Sequence, residues 1–323
     1  MFREQITSAQ NPKIRNLLLL QEKSKARREQ GLFVVEGRRE LEHCLAAGFK
    51  VRTLFYCPEI AGQAGNDAMP GHEPSVMPGF ESSVMPGFES SVMPGFESSV
   101  MPGLESSVMP GLDASVMPGF DRASVISSAV EKSLCIEIPE HLYRKVAYRE
   151  STEGIIAEVE YKSLELTDLT LPDNPLIMVL ESVEKPGNLG AVLRSADAAH
   201  ADAVLICDPL TDLYNPNLIR ASIGAVFTVP TVACSSKEAI TFLQKRNIQI
   251  LTAQLQDSSF YYDIDMKRGT ALVMGTEATG LTDEWRKAAS AHIRIPMLGR
   301  LDSLNVSVSA AILLFEAVRQ RQG

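Results

Sequence analysis

Three short stretches carry residues whose types and spacing suit chemistry: "ESVEKPGNLGAVLRSADAA", "LVMGTEATGL" and "IPMLGRLDSLNVSVSAAILLFEA". In the first, Asn188 and Gly190 lie around a helix start, and Arg194 follows six residues after Asn188. One reading makes Asn188 a cap, Gly190 a point of tight approach and Arg194 a surface ion-pair partner. In the second, Gly275 and Gly280 bracket a turn, with Glu277 just beyond a strand. Those glycines either relieve backbone constraint or expose peptide groups to an adenine or sugar, with Glu277 fixing the turn or a substrate residue. In the third, Gly299 sits in a loop, Asn305 opens a helix, and Ser303, Ser307 and Ser309 stand among apolar residues. Capping alone accounts for a polar helix start. Three glycine-containing strand ends that together supply Asn, Arg, Glu and Ser point further, to a ligand pocket.

The elements that must position these turns alternate strand and helix. "LIMVLESV", "DAVLICDP", "IQILTAQL", "GTALVMGTE" and "HIRIPM" read as strands. "NLGAVLRSADAAHA", "SSKEAITFLQKR", "TDEWRKAAS" and a long segment from about Asn305 to Gln322 read as helices, and "NPNLIRASIGAVFTVP" reads as helix then strand. This order predicts an α/β fold with a largely parallel sheet covered on both faces, and such sheets bind ligands beyond the carboxyl ends of their strands. Residues 176–323 form this body. Upstream, "NPKIRNLLLLQEKSKARREQG" reads as a helix closed by Gly31, "LFVVEG" and "KVRTLFYC" as strands flanking the helix "RRELEHCLAAG", and "EGIIAEVEY" as a further strand. These make a smaller α/β module within 1–162, and 163–175, with Pro172 and Pro175, read as a linker. The GxxG spacing is not the dinucleotide fingerprint, and no loop ends in GK[ST], so a conventional nicotinamide or nucleotide-triphosphate enzyme has little support.

The small module is interrupted at about 69–124. From Ser75 to Arg122 run six octads of the form SVMPGFES, each with Pro–Gly, which opposes a continuous helix. The expectation is an insertion without chemistry, tolerated in a surface loop at modest closure cost; a partner-binding loop and an ordered stack are the alternatives. The insertion also distorts the charge balance. The chain has a formal net charge of −9, yet residues 1–60 carry eleven Lys/Arg against seven acids, while 61–130 carry one Arg against eight acids. Total charge is therefore a poor guide to a surface that binds phosphates. No apolar run approaches membrane-spanning length, and the N-terminus lacks the apolar core of a secretion signal. Five single cysteines at 44, 57, 135, 207 and 234 show no metal spacing or disulfide framework. A cytoplasmic protein without membrane or metal is the expectation.

"NLGAVLRSA", "IRASIGAVF", "MGTEATGL" and "IPMLGRLDSLNVSVSAA", in this order and separation, resemble the signature motifs of the SpoU/TrmH family of RNA 2′-O-ribose methyltransferases, of the SPOUT class. "NPKIRNLLLL…FVVEGRRELEHCLAAG" and "STEGIIAEV" are similar to that family's L30e-like substrate-binding module. The resemblance implies a deep trefoil knot in the C-terminal domain, homodimerisation through it, and S-adenosylmethionine as cofactor. It implies cofactor contacts at Met274, Gly275, Ile295, Met297, Ser303 and Leu304, in the loops Met274–Gly275, Ile295–Met297 and Ser303–Asn305. Arg194 becomes the principal catalytic residue, acting near the ribose and reaching across the dimer; Asn188 organises its loop, Glu277 the second loop, and Asn305 the ribose or Arg194. The substrate implied is rRNA or tRNA; an RNA-binding factor that keeps the pocket without turnover is the alternative. Lys13, Arg15, Lys23, Lys25, Arg27, Arg28, Arg38 and Arg39 form the expected phosphate-contacting face, against a plain solvated one. Two departures stand out. Ala198, Ala199 and His200 replace an aromatic–glycine pair, making His200 a helix-end surface residue, and Thr276 replaces the usual Ser or Asn.

Overall fold

A computed structural model of the chain describes residues 3–61, 133–148, 153–276, 279–300 and 303–322. The octad insertion and Glu277 lie outside the described residues.

The upstream module is a five-stranded mixed sheet. Its strands are β1 (Arg3–Gln5), β2 (Leu32–Glu36), β3 (Val51–Tyr56), β4 (Leu134–Glu137) and β5 (Ile155–Glu160), in the order β1-β4-β3-β5-β2. β5 runs antiparallel to both β2 and β3, whereas β4 is parallel to β1 and β3. The expected single helix before β2 is two, Pro12–Glu22 and Ser24–Gln30. Lys23, in extended conformation, separates them, and Gly31 closes the second at φ 62. Ile14, Leu17 and Leu20 recur on one helical face and are fully buried against Val34, Phe55, Ile136 and Ile156.

The second sheet has seven strands, all paired in parallel: β6 (Leu176–Glu181), β7 (Ala203–Cys207), β8 (Thr231–Cys234), β9 (Gln249–Ala253), β10 (Ser259–Phe260), β11 (Thr270–Met274) and β12 (Ala291–Arg294). Their order is β10-β12-β9-β11-β6-β7-β8. Alternation along the central strands feeds two cores. Met178, Leu180, Val204, Ile206, Leu272 and Met274 face the helices Pro186–Ala198 and Val306–Gln322. Ile177, Val179, Leu205, Ala271 and Val273 face Ser236–Lys245 and the Trp285 helix, Asp283–Ala288. Among the described residues no helix is long and apolar enough to cross a membrane.

The two sheets share one continuous core in a single compact unit, although the sequence reads as two bodies with a linker. Phe33 of β2 stacks on Tyr214, ring centroids 4.3 Å apart, and Phe49, Tyr161 and Phe227 pack edge-on or stacked around them. Beside this cluster Arg27 donates from Nε to Asp212 at 2.7 Å and from Nη1 to the carbonyls of Leu20 and Gln21. The side chains of Arg27 and Asp212 are only 2% and 8% exposed. Arg27 thus leaves the expected RNA-facing set: its charge is spent inside the protein, joining the two sheets. The expected linker is also tied down, with Leu169 buried and Leu164, Leu166 and Leu171 packed on the core.

Candidate active site

Parallel strands bring β9, β11 and β12 to a common edge, and the turns that follow them enclose a cavity of about 410 Å³ with the start of the last helix. Met274, Gly275, Ile295, Met297, Ser303 and Leu304 all line it. Gly275 has no room for a side chain: a Cβ there would stand 2.3 Å from the carbonyl of Gly280 and 2.6 Å from the amide of Leu281. The turn that presses on it is closed by Thr276. Its carbonyl accepts from Gly280 N (3.0 Å), and its hydroxyl accepts from Thr279 N (3.0 Å). Threonine in place of the usual Ser or Asn therefore supplies the same local acceptor. The cavity wall is mostly apolar, with Arg286 and Arg294 as its charged side chains and no carboxylate among the described lining residues. Arg294 lies over the Phe260 ring, 4.4 Å from its centroid, and donates to Ser258 Oγ at 3.3 Å.

Beside the cavity two asparagines meet. Asn305 donates from Nδ2 to Asn188 Oδ1 at 3.2 Å, joining segments 117 residues apart. The Asn305 carbonyl oxygen Oδ1 accepts from Ser307 N (2.9 Å) and Ser307 Oγ (2.6 Å), capping the Val306–Gln322 helix. Capping and site building are thus one arrangement, because the cap holds the amide that reaches Asn188. Asn188 itself lies inside the first turn of Pro186–Ala198, whose N-cap is Lys185. Gly190 serves close packing: a Cβ would meet Ala221 at 2.6–2.7 Å. Arg194 is exposed, does not line the cavity, and has no side-chain partner among the described residues. Six positions along a helix turn it about 120° away from Asn188.

A polar network that the sequence reading missed holds the site from below. Glu181, at the end of β6 and 2% exposed, accepts from Thr282 N (2.9 Å) and Thr282 Oγ1 (2.7 Å). Ser236 receives the Trp285 indole N–H at 2.9 Å and donates to Asp208 at 2.6 Å. The signal available was a carboxylate ending the otherwise apolar run "LIMVLE", which has to find donors once buried. His200 is exposed at φ 53 past the helix end, as expected. Of the basic face, Lys23, Arg28 and Arg39 are exposed, Lys13 pairs with Glu4, Lys25 with Glu29, Arg38 with Glu42, and Arg15 donates to Gln10.

Residues 175–315 match the SpoU rRNA Methylase family and residues 11–77 the MRM3-like substrate binding domain. The 23S rRNA (guanosine-2′-O-)-methyltransferase RlmB of Ralstonia nicotianae is 37% identical over 183 residues, covering 55% of this chain and 74% of that protein. The chain belongs to the SpoU rRNA methylase family. This is the SpoU/TrmH group of RNA 2′-O-methyltransferases, in which RlmB of Escherichia coli K12 is 38% identical over 175 residues, covering 52% of this chain and 72% of that one. A crystal structure of an RNA 2′-O ribose methyltransferase superposes with TM-score 0.69 at 31% identity, over 99% of this chain and 100% of that one. The fold also matches the AdoMet-bound rRNA methyltransferase of Sinorhizobium meliloti, at TM-score 0.73, 24% identity and 98% of each chain. In this SpoU-family chain the cavity and the Asn188–Asn305 bridge lie within the family-matched segment.

Proposed function

We propose that this protein transfers a methyl group from S-adenosylmethionine to the 2′-hydroxyl of a ribose in rRNA. One observation carries the reading: three turns distant in sequence converge on one cavity, beside an asparagine pair that joins two of the family motifs. The cavity fits the cofactor. Its volume and mostly apolar wall suit a nucleoside-sized ligand, and Gly275, pressed against the backbone of Gly280 and Leu281, leaves the main chain of that wall uncovered by a side chain of its own. Met274, Gly275, Ile295, Met297, Ser303 and Leu304 would hold it, and when bound it supplies an electrophilic sulfonium methyl.

The protein's own part is alignment. A ribose hydroxyl is a weak nucleophile, so it must be held in line and its proton made easier to lose. Arg194, exposed and without a partner among the described residues, is available for the ribose and its phosphate. A guanidinium is a fixed cation with a forked donor geometry, suited to orienting and stabilising charge more than to taking a proton. Asn305, fixed by its own cap, positions Asn188 and with it the start of the Arg194 helix.

In our reading the C-terminal domain, 176–323, carries the family's deep trefoil knot and the 1–162 module is L30e-like, joined by 163–175; the separate family matches at 175–315 and 11–77 support this division. The enzyme is a homodimer. Val308 and Phe315, seven positions apart on the last helix and so on one face of it, are 47% and 48% exposed, an apolar stripe suited to a second copy. Lys23, Arg28 and Arg39, exposed and without a side-chain ion pair among the described residues, make the open part of the RNA-capturing face. The test is to incubate purified protein with radiolabelled S-adenosylmethionine and unmodified rRNA, then map ribose methylation. Label at a defined 2′-oxygen is expected; its absence across 16S and 23S transcripts and their assembled subunits would overturn the reading.

A further inference from the structure

Cys207 and Cys234 stand singly in the sequence, 27 residues apart, yet the fold sets them side by side. They are register partners at the ends of the adjacent parallel strands β7 and β8. Both side chains lie on the face that packs against the Ser236–Lys245 helix, Cys207 within the core and Cys234 against it. Their sulfurs are 4.0 Å apart. β8 is the edge of its sheet, and Cys234 is half-buried, whereas Cys207 is shut off from water. Neighbouring strands stand about 4.8 Å apart, within the roughly 4.4–6.8 Å between α-carbons that a disulfide spans. Side-chain rotation is then what remains to bring the sulfurs together.

The two thiols differ in role. The hydrogen bond to Cys234 and burial hold the Cys207 thiol well above its ordinary range, so Cys207 keeps its proton and Cys234, the one that solvent reaches, is the attacking sulfur. We propose that Cys207 and Cys234 form a dithiol site that a low-molecular-weight disulfide of the glutathione type oxidises to a cross-link between β7 and β8. The Cys234 thiolate attacks one sulfur of the small disulfide, whose S–S bond breaks and whose other half leaves as a thiolate. Cys207 then gives up its proton and its sulfur attacks Cys234, releasing the second half. Two protein thiols lose two electrons and two protons, and the small disulfide becomes two thiols. The cross-link adjoins the network beneath the cavity, because Asp208 and Ser236, bonded at 2.6 Å, follow closely on the two cysteines.

The test incubates the folded, full-length protein with glutathione disulfide, quenches with acid, unfolds it, alkylates the remaining thiols and digests with trypsin. Cleavage after Arg194, Arg220 and Lys237 puts the two cysteines on separate peptides, 195–220 and 221–237. Mass spectrometry should find these peptides joined, with Cys44, Cys57 and Cys135, which are buried in the upstream module, alkylated instead. Dithiothreitol added before the quench should part them. Cys207→Ser should halt the reaction with glutathione held on Cys234, and Cys234→Ser should leave Cys207 alkylated and unmodified. Wild-type protein that keeps glutathione on Cys234 without joining the peptides overturns the proposal. So does alkylation of both cysteines at a glutathione disulfide concentration that fully oxidises a two-cysteine control peptide. The joined peptides are read on the wild-type chain itself, so a variant that fails to fold leaves the decision intact.

Discussion

In the proposed reaction Arg194 and Asn305 divide the chemistry between reach and placement. Arg194 makes no contact that the fold needs among the described residues, so Arg194→Ala should melt like wild type while methylation falls at least about a hundredfold, the scale of a lost transition-state contact. Retained turnover at equal stability would remove Arg194 from the mechanism. Asn305 is different, because one side chain both caps a helix and holds Asn188. Asn305→Asp keeps the capping oxygen but loses the donated bond; it should preserve the melting temperature within about 1 kcal/mol of stability and still lower kcat. Asn305→Ala should lose both. The sequence displayed these polar residues and their strand-end positions, but the 3.2 Å bond between Asn305 and Asn188 belongs to tertiary structure alone.

At the scale of elements, the turn after β11 is set by exclusion of volume. Gly275→Ala would drive a methyl into the Gly280 carbonyl, so the turn must move; we expect a loss of about 1–3 kcal/mol in chemical denaturation and loss of S-adenosylhomocysteine binding in calorimetry. The last helix carries a second expectation. Val308→Asp combined with Phe315→Glu places charge on the exposed apolar stripe and should convert a dimer to monomers in light scattering, with the monomer keeping its helical circular dichroism. Five strands of the second sheet were legible because apolar runs of four to six residues alternate with helical spacing, as in "LIMVLE" and "AVLIC"; the two-residue β10 was not, and "AVFT", expected to lead into a strand, is the helix Ala225–Thr228 ahead of β8. The three-residue β1 and the four-residue β4 were not, because so short a run carries no readable period. β4 is also separated from β3 by the insertion, which hid their parallel partnership.

At the scale of the whole molecule, the joint between the sheets depends on Arg27 and the aromatic cluster around Phe33 and Tyr214. In "SKARREQG" nothing separates Arg27 from its neighbour Arg28; only the tertiary path of the Ser24–Gln30 helix turns one inward and the other to solvent. Arg27→Met leaves Asp212 buried without its counter-charge and should cost about 3–5 kcal/mol, whereas Arg27→Met with Asp212→Leu should recover most of it. A double variant as unstable as the single one would show that the aromatic packing, and not the ion pair, was disturbed.

The same burial separates two kinds of arginine by their response to dissolved salt. Counter-ions reach Arg28, Arg38 and Arg39 freely but have almost no access to Arg27. Raising potassium chloride from 50 to about 500 mM should therefore release bound rRNA steeply while the melting temperature of the free enzyme barely changes. Grip is electrolyte-sensitive and scaffold is not, because one charge in a basic run is turned to the inside.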